Sequence, residues 1–297
     1  MTMLLLPERR HAKATVLDRW IALGDRLPDA VSGNEVLLCE VFAFEGPLAV
    51  AALTRQLDVG DAENKQWLRA DPAWVRADMS TARMFAHGEL GLSAAEIAAL
   101  TPNLVALFAE HNLVFDTPTP ARWYLACPDS LSIPDFTDPD DALGDDLRLH
   151  ALPGVEGKFW RVLGNDIQVM LHNHPVNQNR VARGAVAVNG LWLWGGGRQP
   201  KSITCNADAY FGNDPLATAL ANAASLPTRS LDTLDSNAAA RNAIIDLRNL
   251  RADALEAAIG NMAAFGIGSR IKMFAFTFAS GERYRYRPSH RWRFWRR

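Results

Sequence analysis

Cysteine is scarce in this 297-residue chain, and its scarcity excludes two common ways of stabilising a fold. Cys39, Cys127 and Cys205 are far apart and odd in number, so neither a disulfide framework nor a zinc cluster is indicated. The sequence therefore predicts three buried thiols and calls for no cofactor.

Long apolar runs and an excess of charge of one sign are also lacking. No segment approaches the roughly 20 apolar residues of a membrane span, and MTMLLLPERR opens with too short an apolar run for a signal peptide. The formal net charge is -2 and 48% of the residues are hydrophobic, which is typical of globular proteins and favours no class of partner. We expect a cytoplasmic protein without a membrane span.

Several catalytic signatures are missing as well. The three glycines at 195–197 are not followed by the Lys-Ser/Thr of a Walker A loop, and neither GxGxxG nor GxSxG occurs. No serine and histidine are spaced in the sequence in a way that indicates a catalytic pair. The sequence therefore predicts no catalytic residue.

What is present is the pattern of an α/β protein. A short strand at 3–6 precedes helices over 12–23, over a segment that Ser32–Gly33–Asn34 begins and Gly46–Pro47 ends, and over 48–57. Further on, the pattern predicts two strands joined by a turn at Asp71–Pro72, a helix over 93–110, paired strands at 114–115 and 122–126, a loop over 128–146, helices over 157–172, 215–224 and 253–265, and a closing hairpin of 271–278 with 282–287.

Two of these helices allow finer predictions. Ser93 and Glu96 have the spacing of a capping box at the start of the helix over 93–110. In the helix over 157–172, four apolar residues form the expected buried stripe: Phe159, Val162, Ile167 and Met170.

The polar run HNHPVNQNR at 172–180 concentrates candidate binding groups. His172 and His174 could ligate a metal ion, but the third and fourth ligands cannot be placed, so no metal site is assigned. If the run is helical after Pro175, then His174, Asn177 and Arg180 share a face that could bind a phosphate or carboxylate. A capped, solvated helix connection is the alternative, and both stay open.

A short apolar strand at 191–194 leads into the glycines and then Arg198. Glycine allows the backbone to approach a ligand closely, as anion-binding turns require, although GGG alone is a weak signal. Trp192 and Trp194 point to one face of this strand and are expected to pack rather than to bind.

Two Arg-Ala-Asp repeats place Arg69 and Arg76 seven residues apart. They could bind an anionic ligand, or they could belong to a salt-bridge ladder on the surface. The chain ends in RYRYRPSHRWRFWRR, whose arginines and aromatics could bind nucleic acid or an anionic membrane surface. In strand geometry the same alternation directs Tyr284, Tyr286, Trp292 and Phe294 inward.

The central stretch also carries a family resemblance. HPVNQNRVARGAVAVNGLWLWGGGRQP resembles the HPxNxxR segment, apolar strand and glycines of archaeal-type cofactor-independent phosphoglycerate mutases. The likeness extends over GNEVLLCEVFAFEGPLAVAALTRQLDVGD and WLRADPAWVRAD. As a whole, the sequence is still more similar to the RpfE-type regulatory proteins of bacteria.

The resemblance implies a shortened alkaline-phosphatase-like α/β core, made of residues 1–65 and 189–297, with an inserted α+β domain over 66–188. Of the polar residues that the mutases have in this segment, the chain keeps His174, Asn177, Arg180 and Asn189. With Arg69, Arg76 and Arg198, these residues are the candidates for binding a ligand.

The departures from the mutase pattern decide the expected function. The phosphorylated serine of the mutases falls at Asn34 and its histidine at Leu38, and the first strand ends in Leu6–Pro7–Glu8 instead of a metal-binding Asp-Gly. The late metal motifs have no counterpart after Ser230. Two metals cannot be held without those side chains.

We therefore expect a non-catalytic regulator or scaffold that binds a small phosphorylated or carboxylated metabolite or a regulatory protein partner. The alternatives are a phosphoryl-transfer enzyme with relocated catalytic groups and a protein that binds nucleic acid through its C-terminal tail.

Overall fold

The structure is a computed structural model that describes residues 1–77, 79, 81–234, 242–264 and 273–293. Its strands are, in chain order, β1 (Thr2–Leu6), β2 (Asp25–Leu27), β3 (Phe42–Phe44), β4 (Gln66–Ala77), β5 (Ala82–His87), β6 (Val114–Asp116), β7 (Tyr124–Cys127), β8 (Gly190–Gly197), β9 (Ile203–Cys205), β10 (Ala209–Phe211), β11 (Thr228–Arg229), β12 (Ala243–Asp246), β13 (Phe274–Phe278) and β14 (Arg283–Tyr286). Its α-helices are α1 (Thr15–Leu23), α2 (Asn34–Val41), α3 (Val50–Asp58), α4 (Ala94–Ala109), α5 (Pro139–Ala142), α6 (Glu156–His172), α7 (Pro175–Ala182), α8 (Pro215–Ala223) and α9 (Ala252–Ala264). The predicted α/β class is confirmed.

The chain divides into two units by its internal contacts. Unit 1 comprises Met1–Gly46 and Lys201–Arg297, and unit 2 comprises Pro47–Pro200. The domain boundaries that the resemblance implies, at residues 66 and 188, fall inside unit 2. The assignment of a mutase-like core and insert to those ranges stays a prediction.

Unit 1 is built on a seven-stranded sheet in the order β11-β10-β12-β1-β13-β14-β2. The five strands from β11 to β13 are parallel. The next strand, β14, is antiparallel to β13, and β2 is antiparallel to β14. The central strand β1 places Leu4 between Ile245 of β12 and Phe276 of β13. Near-continuous apolar runs such as TMLLL and FAFTF suit strands buried on both faces.

A separate two-stranded ladder in unit 1 joins β3 to β9, with Phe42 opposite Cys205 and Phe44 opposite Ile203. These strands lie just before and just after unit 2 in the chain. The two points at which unit 1 is interrupted are therefore held together within unit 1. The expected helix from Ser32 to Gly46 was too long, because α2 ends at Val41 and β3 follows it.

Unit 2 is organised by β4, a strand of 12 residues. One edge of β4 pairs with β8, and the other pairs first with β7 and then with β5. Alternate residues face opposite sides of the sheet. Leu68 and Ala70 join the apolar core beneath α4 and α6, whereas Trp67 packs with the alanines of α3.

The predicted turn at Asp71–Pro72 was wrong, because β4 runs straight through both residues. Pro72 has no N–H to donate to a ladder. On the β7 and β5 edge, β7 pairs as far as Arg69 and β5 starts at Ala73. Pro72 therefore lies in the gap where the partner strand changes, and no ladder bond is lost.

The predicted glycine turn at 195–197 was also wrong, since all three glycines belong to β8. Trp67 lies opposite Gly197 and Arg69 opposite Trp194, so β8 holds one extra residue there. Gly195 takes a φ of +63° at this bulge. The glycines bend a strand instead of forming a loop.

Of the predicted stripe of α6, Ile167 is buried as expected, whereas the other three positions were misplaced by one residue. The helix buries Trp160, Leu163, Ile167 and Leu171, and Val162 is 49% exposed. Ser93 and Glu96 do form the expected capping box of α4. The paired strands at β6 and β7 and the closing hairpin of β13 and β14 are confirmed.

Of the four tail aromatics expected to face inward, Tyr284 and Tyr286 are buried, but Trp292 is 67% exposed. Trp292 ends a short helical turn over Pro288–Trp292, so the strand alternation that placed it inside does not continue past Tyr286. Phe294 lies outside the described residues, and so does Gly266, the glycine expected to follow and terminate the helix over 253–265.

Candidate functional site

The polar run at 172–180 is helical from Pro175 onward, as predicted, and places Asn177 and Arg180 on α7. His174 caps the helix, and its Nδ1 accepts a hydrogen bond of 3.3 Å from the Val176 N–H. Pro175 occupies the first turn, where a missing N–H costs nothing. His172 ends α6 and is exposed.

Asn177 is buried on α7 and fastens the chain on either side of it. Its Nδ2 donates to the Leu171 carbonyl at 2.6 Å and to the Val188 carbonyl at 2.7 Å. Its Oδ1 accepts from the Val188 N–H at 2.7 Å. The Asn177 amide thereby pairs with both backbone groups of Val188, as a neighbouring β-strand would. This contact joins α7 to the segment that precedes β8.

Asn189 makes the matching contact with β4. Its Oδ1 accepts from the Val75 N–H at 2.8 Å, and its Nδ2 donates to the Val75 carbonyl at 2.7 Å. The pairing of β4 with β5 shifts register between Trp74 and Val75. Asn189 thus satisfies backbone groups at an irregular point of the sheet.

Arg180 is 1% exposed, and its guanidinium N–H groups donate hydrogen bonds to other residues of unit 2. Its Nε donates to Val186 O at 2.7 Å, and its Nη2 to Leu90 O at 2.5 Å. Its Nη1 lies 3.0 Å from Oε1 of Glu96. These contacts join α7 to the capping turn of α4, and they account for the position of Arg180 without a ligand.

Glu96 is the acidic centre of this junction. Burial by itself would raise its pKa, but hydrogen bonds from the backbone and hydroxyl of Ser93 and from Arg180 lower it to about 2. Arg183, which is exposed, contacts the same carboxylate oxygen at 2.5 Å. We name Glu96, Asn177, Arg180 and Asn189 the α7 anchor.

The two arginines of the Arg-Ala-Asp repeats are not brought together. Arg69 is buried and forms a bidentate pair with Asp71, with Nε–Oδ1 at 2.9 Å and Nη2–Oδ2 at 2.7 Å. Its guanidinium lies between the rings of Tyr124 and Trp194, 5.5 and 5.2 Å from their centroids. Arg76 is exposed near the end of β4.

Residues that sequence reasoning missed extend this network beneath α3. Asp58 accepts two hydrogen bonds from Arg122, at 2.8 and 2.6 Å, and one from the Tyr124 hydroxyl at 2.6 Å. Although burial would raise the pKa of Asp58, these donors hold it below its ordinary value. Arg55 pairs with Asp61 and Asp116. In the sequence, the i, i+3 spacing of Arg55 and Asp58 suggests that these two residues pair with each other, whereas Arg55 pairs with Asp61 and Asp58 with Arg122.

Arg198 is the candidate at the end of β8. Its side chain is exposed, donates to the Asn64 carbonyl at 3.1 Å and pairs with Asp129. The neighbouring glycines approach α3 closely: a Cβ at Gly195 would lie 2.8 Å from Cβ of Val50, and one at Gly197 2.9 Å from Cβ of Ala49. Close packing of unit 2 uses the space that an anion would need.

Unit 1 holds a second buried ionic cluster, at the carboxyl ends of β10 and β12. In open α/β sheets, ligands bind beyond the carboxyl ends of the strands. Asp246 ends β12, and Arg248 contacts its two oxygens at 2.9 and 2.7 Å. The same guanidinium lies 3.2 Å from Oδ1 of Asp214 and donates to the Asn34 carbonyl at 3.1 Å. We name Asp214, Asp246 and Arg248 the edge cluster.

The lone pairs of Asp246 are fully used. Its Oδ1 accepts from the backbone N–H and Nε of Arg248, and its Oδ2 accepts from Nη2 of Arg248 and from the Tyr210 hydroxyl at 3.0 Å. A carboxylate offers about four acceptor sites. Burial, followed by the nearby carboxylates, raises the pKa of Tyr210, so the phenol stays a donor.

The metals that the mutase resemblance implies do not fit this donor set. The carboxylate of Asp246 has no lone pair left, and Arg248 supplies the positive charge beside it. Over the residues that the structure describes, no group of three or more His, Cys, Asp or Glu side chains is arranged to hold a metal ion. The sequence hinted at this cluster only through an aspartate that ends an apolar strand.

Within the described ranges, no helix is both long enough and apolar enough to cross a membrane.

Comparison with known proteins found sequence similarity to one enzyme group. The chain is 31% identical over 191 residues to the 2,3-bisphosphoglycerate-independent phosphoglycerate mutase of Methanosarcina barkeri, covering 61% of this chain and 46% of that protein. It is 37% identical over 65 residues, 22% of this chain and 16% of that protein, to the enzyme of the same name from Methanosarcina mazei. The chain thus spans about half the length, or less, of these relatives. No family model matches the chain.

Two solved structures align with 96% of this chain. One is the PH0037 protein from Pyrococcus horikoshii, with a TM-score of 0.47, 12% identity and 87% of that chain covered. The other is the cofactor-independent phosphoglycerate mutase from Thermoplasma acidophilum, with a TM-score of 0.36, 14% identity and 89% covered. The sequence similarity supports an ancestry shared with phosphoglycerate mutases.

Proposed function

We propose that this protein keeps a mutase-like scaffold without mutase chemistry and acts as a regulator or scaffold, as its resemblance to RpfE-type proteins suggests. The edge cluster is the observation that carries the proposal. It lies where an open α/β sheet binds its ligands, yet each oxygen of Asp246 already accepts two hydrogen bonds. Asp246 therefore has no free lone pair to offer a metal ion.

The start of α2 supports the same proposal. Asn34, which falls at the position of the mutase nucleophile, is the first residue of α2, and its carbonyl accepts from Arg248. A carboxamide cannot form the phosphoester that a serine hydroxyl can. The helix start is thereby bound to the edge cluster instead of to a reacting group.

The ligand part of the proposal concerns a small phosphorylated or carboxylated metabolite. His174, Asn177, Arg180, Asn189 and Arg69 make the internal contacts described above. Arg198 and Arg76 are the exposed candidates, and Arg198 offers a guanidinium that a carboxylate or phosphate could share with Asp129.

The test is an assay of phosphoglycerate mutase turnover with Mn²⁺ or Co²⁺ supplied, because the enzymes of this chemistry require bound divalent ions. We expect no turnover, and no stabilisation of the wild-type protein by either ion in a thermal melt. An authentic mutase of the same group serves as the positive control. Turnover that disappears with a chelator would refute the proposal.

A further inference from the structure

Unit 2 contains a cleft of about 150 Å³ between α6, β8 and the segment over 136–152. Its walls are aromatic: Phe136 and Trp160 meet edge to face with ring centroids 5.3 Å apart, and Trp192 also lines the cleft. None of these residues belongs to the α7 anchor or to the edge cluster. The cleft is therefore separate from the sites described above.

The walls are held in place before any ligand binds. The Trp192 indole N–H donates to the Thr137 carbonyl at 2.9 Å. His150 lies beside Trp192 with centroids 6.3 Å apart, and its Nδ1 is 3.3 Å from the Thr137 hydroxyl. Because the rings are fixed, a ligand would not have to order them.

The volume of the cleft limits the size of its occupant. An apolar cavity of about 150 Å³ in another protein accommodates a single benzene ring. Aromatic rings favour edge-to-face and offset contacts with a further ring. The cleft, at about 150 Å³, therefore suits one planar six-membered ring.

Arg161 supplies charge at the rim. Its Nη2 donates to the Gly154 carbonyl at 3.2 Å, and its Nη1 contacts the Leu152 carbonyl. It forms no ion pair with a carboxylate of the described residues, and Asp145 lies 3.4 Å from His150, another residue that lines the cleft. A guanidinium without a counter-ion at the rim favours a ligand that carries a carboxylate.

Gly164 lies in the middle of α6 and lines the cleft. A glycine inside a helix costs roughly 0.5–1 kcal/mol relative to alanine. Packing does not require it, because a Cβ at this position would meet no atom within 4 Å. The space that the missing side chain leaves opens beside the aromatic walls.

We infer that this cleft binds an aromatic carboxylate of a single ring, with the ring between Trp192 and Trp160 and the carboxylate on Arg161. The inference is independent of the proposed function, since it uses none of the same residues.

Benzoate is the probe, and the readout is the NMR signal of the Trp192 indole N–H in the full chain. We expect millimolar benzoate to shift this signal. Gly164→Leu fills the cleft and should abolish the shift. Gly260→Leu is the matched control, because Gly260 also lies inside a helix, α9, with no atom near its missing Cβ. That control should bind benzoate like the wild type.

The role of charge is tested with Arg161→Gln, a change at an exposed side chain. It should weaken benzoate about tenfold, the equivalent of one charge-assisted hydrogen bond, and leave the weaker binding of neutral benzyl alcohol unchanged. An unshifted Trp192 signal, or equal shifts in wild type and a folded Gly164→Leu, would overturn the site. Equal benzoate affinity in Arg161→Gln would overturn the carboxylate assignment.

Discussion

At the scale of residues, the polar side chains of the HPxNxxR segment are structural ties in this protein. Asn177 and Asn189 each pair with the backbone of a neighbouring strand or its approach, and Arg180 reaches three carbonyls besides Glu96. A buried guanidinium is tolerated only when its donors are satisfied. These side chains therefore have a structural role that needs no ligand, because their hydrogen bonds stabilise the fold.

Arg180→Ala should lower the free energy of unfolding by roughly 3–5 kcal/mol, the cost of breaking a buried ion pair. The substitution removes the guanidinium donor of the Val186 and Leu90 carbonyls and the buried ion-pair partner of Glu96, which keeps its contacts with Ser93 and Arg183. Urea denaturation measures the change.

Arg183→Ala is the control for this prediction, since Arg183 contacts the same Glu96 oxygen from an exposed position. It should cost no more than about 1 kcal/mol. Equal losses for the two variants would contradict the structural role of Arg180. If phosphate raised the melting temperature of the wild type but not that of Arg180→Ala, Arg180 would bind an anion.

At the scale of elements, β8 shows how a glycine run can serve packing. Gly195 combines a left-handed backbone with a site where a Cβ would lie 2.8 Å from Cβ of Val50, close to the backbone of α3. Because Val50 cannot rotate away at its Cβ, an added methyl must move the helix. The absence of side chains on these glycines lets α3 pack closely against the sheet.

Gly195→Ala should destabilise the protein by roughly 2–5 kcal/mol, which adds the cost of a left-handed backbone to that of overpacking. Gly60→Ala separates the two terms, because Gly60 has a φ of +85° and open space around it. That variant should lose only about 1–2 kcal/mol. Equal losses in chemical denaturation would mean that contact with α3 contributes nothing.

At the scale of the whole molecule, unit 2 has the properties of a domain that folds by itself. It has its own apolar cores, and its two ends lie side by side, with Gly197 packed on Ala49. In unit 1, the β3 and β9 ladder joins the two points where the chain leaves and returns. Adjacent ends are the usual condition for inserting one domain into another.

An excised fragment of residues 47–200 should therefore unfold cooperatively on heating. A fragment cut at 66 and 188 is the comparison, because it lacks α3 and β8 and so leaves one whole edge of β4 unpaired. We expect it to be insoluble or unfolded. If the shorter fragment folds and the longer one adds no stability, the boundaries implied by the mutase resemblance are the better ones.

The sequence by itself determined the elements whose signals are local. The capping box of Ser93 and Glu96 needs only neighbouring residues, and the apolar run of β1 reports its burial directly. The absence of a serine at Asn34 was equally plain. Where the apolar pattern is ambiguous the sequence failed: adjacent pairs such as Val162 and Leu163 allow either face of α6 to be buried.

Only the tertiary structure decided the rest, because it depends on partners distant in the chain. Pro72 reads as a turn until β7 and β5 are seen to leave a gap beside it. Arg180 reads as a ligand contact until Glu96, 84 residues away, takes its charge. Asp246 reads as a free carboxylate until Tyr210 and Arg248 fill its lone pairs. In each case a polar group meets its partner only when the chain folds.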